Sequence, residues 1–208
     1  MTISRNISVM AQGASSSGIL AGGYGGLGAS ISPTTAGNTV FTTDGTNWSS
    51  TQKIVRGTSV ATTSGTSIDF TSIPSWVKRI TVMLNGVSTS GSSLVILQLG
   101  STTFTTSGYN GSVGSMGNGV TSFCAVVTNG LGTVYGGAAA DTRFGGIIIT
   151  NVSGNTWVSM SSVGLNNTTF CGCGAGSIAL SGVLDRVRLT TVNGTDTFDA
   201  GSVNILYE

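Results

Sequence analysis

The sequence predicts an all-β protein of sandwich or barrel type, preceded by an extended arm. Three observations lead there. Strand-forming Thr, Val and Ile are abundant, while the chain holds one Glu and two Lys, so strong helix formers are scarce. About nine or ten segments of strand length recur, with turn residues between them every 8–12 positions or so, and none carries a helical period. Finally, nearly half of the 208 residues are Gly, Ser or Thr, yet mean hydropathy is positive and net charge is only +1. A disordered Gly/Ser chain would pair low hydropathy with high net charge, so this composition fits a folded β protein.

Residues 1–50 stand apart. Ile3, Ile7, Val9 and Met10 are followed by SSSGILAGGYGGLGAS. So much glycine costs too much backbone entropy to hold a core of its own. The segment reads as an arm that becomes ordered by lying on a neighbouring subunit, with a floppy linker as the alternative. Within it, Val40 to Trp48 reads as a small hairpin closed by Asp44-Gly45, anchored by Phe41 and Trp48.

Residues 51–208 carry the regular strands. Ser67–Thr71 alternates Ile68 and Phe70 about Asp69. Val77–Asn85 is the cleanest strand: Ile80, Val82 and Leu84 share one face, and Asn85-Gly86 is expected to end it. Ser93–Leu99 is nearly all apolar and reads as buried on both faces. Residues 100–119 give only a weak strand signal. Val120–Thr128, Gly146–Val152 and Asn155–Val163 read as strands, the last two joined by a turn at Ser153-Gly154-Asn155, and Gly176–Ser181 follows. The closing stretch, from Leu184, reads as two strands joined by a tight polar loop. Val187 and Leu189 alternate with Arg186 and Arg188 in the first; Val203, Ile205 and Tyr207 share a face of the second. Asn193-Gly194, Asp196, Asp199 and Gly201 supply the turn chemistry between them.

The chain offers little chemistry. It has no histidine, which removes Ser-His-Asp triads, Cys-His pairs and His-containing metal sites. Among the carboxylates only Asp196 and Asp199 are close in sequence, and both fall where Asp commonly serves its own turn. Cys124, Cys171 and Cys173 form no disulfide framework, and the Cys-Gly-Cys spacing is wrong for zinc. The Gly22–Gly28 run lacks the Gly-Lys-Ser/Thr of a phosphate loop. No cofactor, metal or catalytic residue is therefore expected, and the chain is not read as an enzyme. Its eight basic residues are scattered rather than clustered, which argues against nucleic acid. No apolar run reaches the ~18 residues of a membrane helix, and Gln12, Gly13 and Ser15–Ser17 break up what would be a signal-peptide core. Only 7% of residues are charged, against roughly a quarter usually, which suits a subunit that lives inside an assembly. The aromatics in Gly-rich contexts are the remaining resource. Trp48, Tyr109 and Tyr135 are the candidate contacts for a glycan or a partner, although ordinary packing is the simpler role for each. Trp76 and Trp157 read as core or rim packing.

Two stretches, SIDFTSIPSWVKRITVMLNGVSTSG (67–91) and LSGVLDRVRLTTVNGTDTFDAGSVNILYE (180–208), resemble a C-terminal domain of tail-fibre and other virion structural proteins of tailed bacteriophages. The opening MTISRNISVMAQ is similar to the start of phage fibre-type proteins. The resemblance covers roughly 67–208 and is loose between 100 and 175. It implies a jelly-roll-like antiparallel β-sandwich, a homotrimer, and a place on the outside of a virion assembled in the host bacterial cytoplasm. It carries over no catalytic residue. The function it implies is a short tail fibre or adhesin, joined to other virion proteins by the arm and touching host surface polysaccharide through its loops. A capsid decoration, cement or head-fibre protein that binds no receptor is the alternative. Any recognition surface is expected in the glycine-rich loops between 100 and 145.

Overall fold

A computed structural model describes residues 38–42, 48–52, 54–117, 123–135, 137–139, 141–166 and 170–208. The chain divides into two units, 1–54 and 55–208. In the first, β1 (Asn38–Thr42) pairs antiparallel with β2 (Trp48–Gln52), Thr42 opposite Trp48. The expected hairpin is thus present; its Asp44-Gly45 turn, like residues 1–37 of the expected arm, lies outside the described residues.

The second unit is an all-β antiparallel sandwich, the fold class expected. Its strands are β3 (Val55–Arg56), β4 (Val60–Ala61), β5 (Ser67–Thr71), β6 (Arg79–Thr89), β7 (Val95–Ser101), β8 (Thr103–Phe104) and β9 (Asn110–Gly117). These are followed by β10 (Phe123–Val127), β11 (Leu131–Gly132), β12 (Thr142–Ser153), β13 (Thr156–Asn166), β14 (Phe170–Ala179), β15 (Arg186–Thr191) and β16 (Phe198–Tyr207). The large sheet runs β10-β9-β14-β13-β12-β6-β16-β3, with β4 also on β16; the small sheet runs β11-β7-β15-β5, with β8 on β7. The core lies between the sheets. Ile80, Val82, Ile147, Ile149, Trp157, Val203 and Ile205 enter it from the large sheet, and Val95, Leu97, Leu99, Val187 and Leu189 from the small one. Trp157 is therefore a core residue, while Trp76 is half exposed, with its ring 6.0 Å from that of Tyr207.

Several sequence expectations are corrected. Asn85-Gly86 does not end β6, which runs on to Thr89. Gly86 instead takes a positive φ of 69° inside the strand, next to an irregularity in its pairing with β12 and β16. A glycine in that conformation makes a bulge, not a stop. Residues 110–117, weak as a strand, form all of β9. Most unexpected is β14: Cys171-Gly172-Cys173, in no strand expected from the sequence, lies inside it.

The glycines of β14 have a packing reason. Residues 131–134 run along the β7 edge of the small sheet and lie against the inner face of β14. Thr133 Oγ1 donates to Val95 O (2.8 Å) on one side, and Thr133 O accepts from Ser161 Oγ (2.8 Å) on the other. A Cβ on Gly172 would overlap Val134 and the Gly114 carbonyl; one on Gly174 would stand 2.8 Å from Gly132 O; one on Gly176, 3.0 Å from Leu131. Glycine at alternate positions lets one backbone lie on another. Gly172→Ala should therefore destabilise the protein by about 1–3 kcal/mol, seen as a lower Tm, whereas Ala at Gly164, which meets nothing within 4 Å, should be near neutral.

The closing strands, read from the sequence as joined by a tight polar loop, do not pair with each other. β15 lies in the small sheet between β7 and β5; β16 lies in the large sheet against β6. The polar stretch between them is a corner that carries the chain from one sheet to the other. Asn193 Oδ1 accepts from Thr195 N–H (3.1 Å) and Asp196 N–H (3.2 Å), and Gly194 takes a φ of 68°. Asp196 accepts from Asn193 Nδ2 (2.6 Å) and Ser93 N–H (2.9 Å). Those two bonds, the side-chain one foremost, hold its carboxyl below the usual range. Asp199 accepts from Ser88 Oγ. Both carboxylates thus have structural partners.

Candidate functional site

Residues of β9, β10 and β14, together with Tyr135 and Gly137, line a cleft of about 240 Å3; its described lining is Ser115, Phe123, Tyr135, Gly137 and Phe170. The sheet pairing explains why these residues meet. Ser115 pairs with Phe123 across β9 and β10, and Phe170 of β14 pairs with Gly117 of β9. Tyr135 enters from the segment that follows β11; its ring lies 6.1 Å from that of Phe123, tilted by 40°. Phe123 is about half exposed; Tyr135 and Phe170 are half-buried, so ring surface faces the opening. Ser115 is buried behind them.

A charged group stands at the back. Arg143 of β12 is 1% exposed and pairs with Leu165 of β13. Its Nη1 donates to Asp141 O (3.4 Å), and its Nη2 has no hydrogen-bond partner among the described residues. Burial pushes its pKa down, with Asp141 and Asp199 opposing that. Gly137 fits against this group: with a φ of 123°, a Cβ there would stand 3.3 Å from both Arg143 Nη2 and Asp141 Oδ2. Asp141 also ties the loop by accepting from Ala138 N–H (2.6 Å). Chemically the cleft is an apolar, aromatic-walled recess with a serine hydroxyl, whose rings can stack on a flat or ring-shaped group.

The structure separates the three aromatic candidates. Tyr135 lines the cleft. Trp48 lies in β2 of the first unit, and its side chain is outside the described residues. Tyr109 is corrected: it is no rim residue but a core residue, 1% exposed. Its hydroxyl accepts from Leu99 N–H (2.8 Å) and donates to Thr105 O (2.9 Å), tying the 105–109 loop to β7. Burial raises its pKa from 10.0 to about 12, against the lowering effect of the Leu99 bond. A glycine-rich neighbourhood marks the loop but not the direction in which the ring points.

Phe123, Phe170, Gly137 and Arg143 were not singled out from the sequence. Weighing only Trp and Tyr as ring donors passed over two Phe residues in strands that begin beside polar, Gly- or Asn-bearing loops. All the described lining residues but Phe170 fall within 100–145.

The cysteines are free and exposed. Cys124 and Cys173 both pair with Gly114, one from each side, so two strand spacings of about 4.8 Å separate them. That is beyond disulfide reach. Among the described residues no group of three or more His, Cys, Asp or Glu is placed to hold a metal ion, and no helix is long and apolar enough to cross a membrane.

No family model matches the chain, and no curated protein or solved structure matches it either.

Proposed function

We propose that this chain is a non-catalytic structural protein on the outside of a tailed-phage virion, of the short tail-fibre or adhesin type. Its N-terminal arm attaches it to the particle, and the cleft of Phe123, Tyr135 and Phe170 takes a sugar ring of a host surface polysaccharide. The observation that carries the glycan part is the cleft itself: three aromatic rings converge on one recess beside a serine hydroxyl. Sugars present apolar C–H faces that such rings cover, and hydroxyls that a serine can bond. The virion part rests on the resemblance at 67–91 and 180–208. Those stretches supply β5, β6, β15 and β16, which frame both sheets, whereas the cleft comes from 115–170, where the resemblance is loose. A shared frame with individual loops is how binding proteins vary their ligand.

Purified full-length protein should bind immobilised bacterial surface polysaccharide from a panel of lipopolysaccharides and capsules. Tyr135→Ala and Phe170→Ala should each weaken that binding at least tenfold, with the melting curve still cooperative. Binding that ignores both substitutions would refute the cleft, and no binding across the panel would favour the second reading. That reading, a capsid decoration or cement protein, is favoured by the low charge of the chain. Copies of the chain per particle separate the two: few for a fibre, many over a lattice for a cement.

A further inference from the structure

We propose that the outer face of the large sheet is the contact surface for a second copy of this chain, paired with it by a two-fold axis. The inference stands apart from the virion reading, because it rests on what the strands place on that face.

The two sides of the sandwich differ in charge. The small sheet turns Arg186, Arg188 and Asp69 outward: Arg188 holds Asp69 through two bonds (2.7 and 2.8 Å) and stacks 4.0 Å over Phe104. On the large sheet, the outward positions of β6, β12, β13, β14, β9 and β10 carry one charged side chain, Arg79. It sits at the rim, paired with Glu208. Large apolar side chains are exposed on the same face: Phe144, Ile148, Val158, Met160, Met116 and Val126. Met160 is 63% exposed. Six strands at about 4.8 Å and four rows of residues about 6.8 Å apart make on the order of 800 Å2. That matches the ~800 Å2 per partner of a stable interface. With no charge across its middle, the face offers nothing to nucleic acid or to a charged protein. An identical face meets it without repulsion.

The pattern also complements itself. Ile148 pairs with Met160 in one row, and two residues along the strands Gly146 pairs with Ser162 in the next. The first row is a ridge and the second a trough. A two-fold axis running across the strands between these rows exchanges them. It lays Ile148 of one copy over Gly146 of the other, and Met160 over Ser162. By the same operation Val158 falls over Gly164, Phe144 over Thr150 and Met116 over Asn110. Each large side chain meets a smaller or polar position, which is how two sheets interdigitate face to face. The result is a pair, in place of the homotrimer that the resemblance implies.

Sedimentation equilibrium of the full chain over a wide concentration range is the test. The expected mass is twice the 20.8 kDa of one chain, with a Tm that rises with concentration. Met160→Lys, at an exposed strand position, should return the mass to one chain and remove that concentration dependence while the protein still melts cooperatively. Ser162→Trp, which fills the trough, should do the same. Thr71→Lys, exposed on the small sheet, should leave the pair intact. A wild-type mass of one chain or of three overturns the proposal, as does a pair that survives both Met160→Lys and Ser162→Trp.

Discussion

Removing residues 204–208 should abolish cooperative unfolding altogether. Ile205 is buried in the core beside Val203, and Tyr207 packs against the same cluster. Losing Ile205 alone, as Ile205→Ala, should cost about 2–5 kcal/mol. The deletion also removes the ladder to Thr81, Val82 and Met83, the pairing of Leu206 and Tyr207 with β3, and the Gly57 N–H bond to Ile205 O (2.8 Å). Glu208 O accepts from the backbone N–H groups of Lys78 (2.8 Å) and Arg79 (2.9 Å), and those bonds go too. The β6 edge from Arg79 to Met83 is then bare, with an apolar face behind it. Against a total stability of about 5–15 kcal/mol, the sum is fatal. Circular dichroism should show no cooperative melt, and the truncated chain should aggregate through the open edge. A soluble truncation with a sharp transition would refute this account of the large sheet.

Tyr109→Ala should be the most damaging single substitution at the expected recognition rim, costing about 3–5 kcal/mol, as large buried aromatics do. Tyr109→Phe isolates the hydroxyl. It leaves the buried Leu99 N–H without its acceptor, a loss of about 1–3 kcal/mol. The pH dependence follows from the raised pKa. The unfolded chain releases the phenol proton near 10, while the folded chain keeps it to about 12. The stability contributed by the protonated phenol is present below 10 and is lost as pH rises toward 12. At about 1.4 kcal/mol per pH unit, that loss is roughly 2–3 kcal/mol. Alkaline melts should show it in wild type. Tyr109→Phe should lack this part of the slope, and equal slopes in the two proteins would exclude the assignment.

Much of the sandwich was legible because it obeys the two-residue period. Ile80, Val82 and Leu84 do face the core, and the nearly all-apolar run of β7 is buried on both sides, as Ile96 packs with Val113 and Val127 while Leu97 and Leu99 join the main core. The failures have a common cause. β14 hides its period because glycine replaces apolar residues wherever residues 131–134 lie against it, and closeness of that kind comes from a distant segment. Asn85-Gly86 and the 193–201 stretch carry turn residues, yet one is a bulge and the other a crossing between sheets. Residue type gives the backbone conformation, and only the tertiary partners decide what the turn connects. The cleft was legible by half for the same reason: Tyr135 could be picked as a ring in a glycine-rich context, but Phe170 reaches it only through the pairing of β14 with β9.

The corner that carries the chain from the small sheet to the large one has a consequence for synthesis. Because β16 does not fold back on β15, its long-range partner is β6, where Val203 pairs with Leu84. More than a hundred residues separate the two. At ribosomal rates of ~5–20 residues per second, β6 waits on the order of ten seconds before β16 can cover it. The nascent chain carries an apolar strand with an open edge throughout that interval, and pairing at such separation is slow in itself. Yield in the producing cell should therefore track translation speed and chaperone supply more closely than it tracks the stability of the finished sandwich.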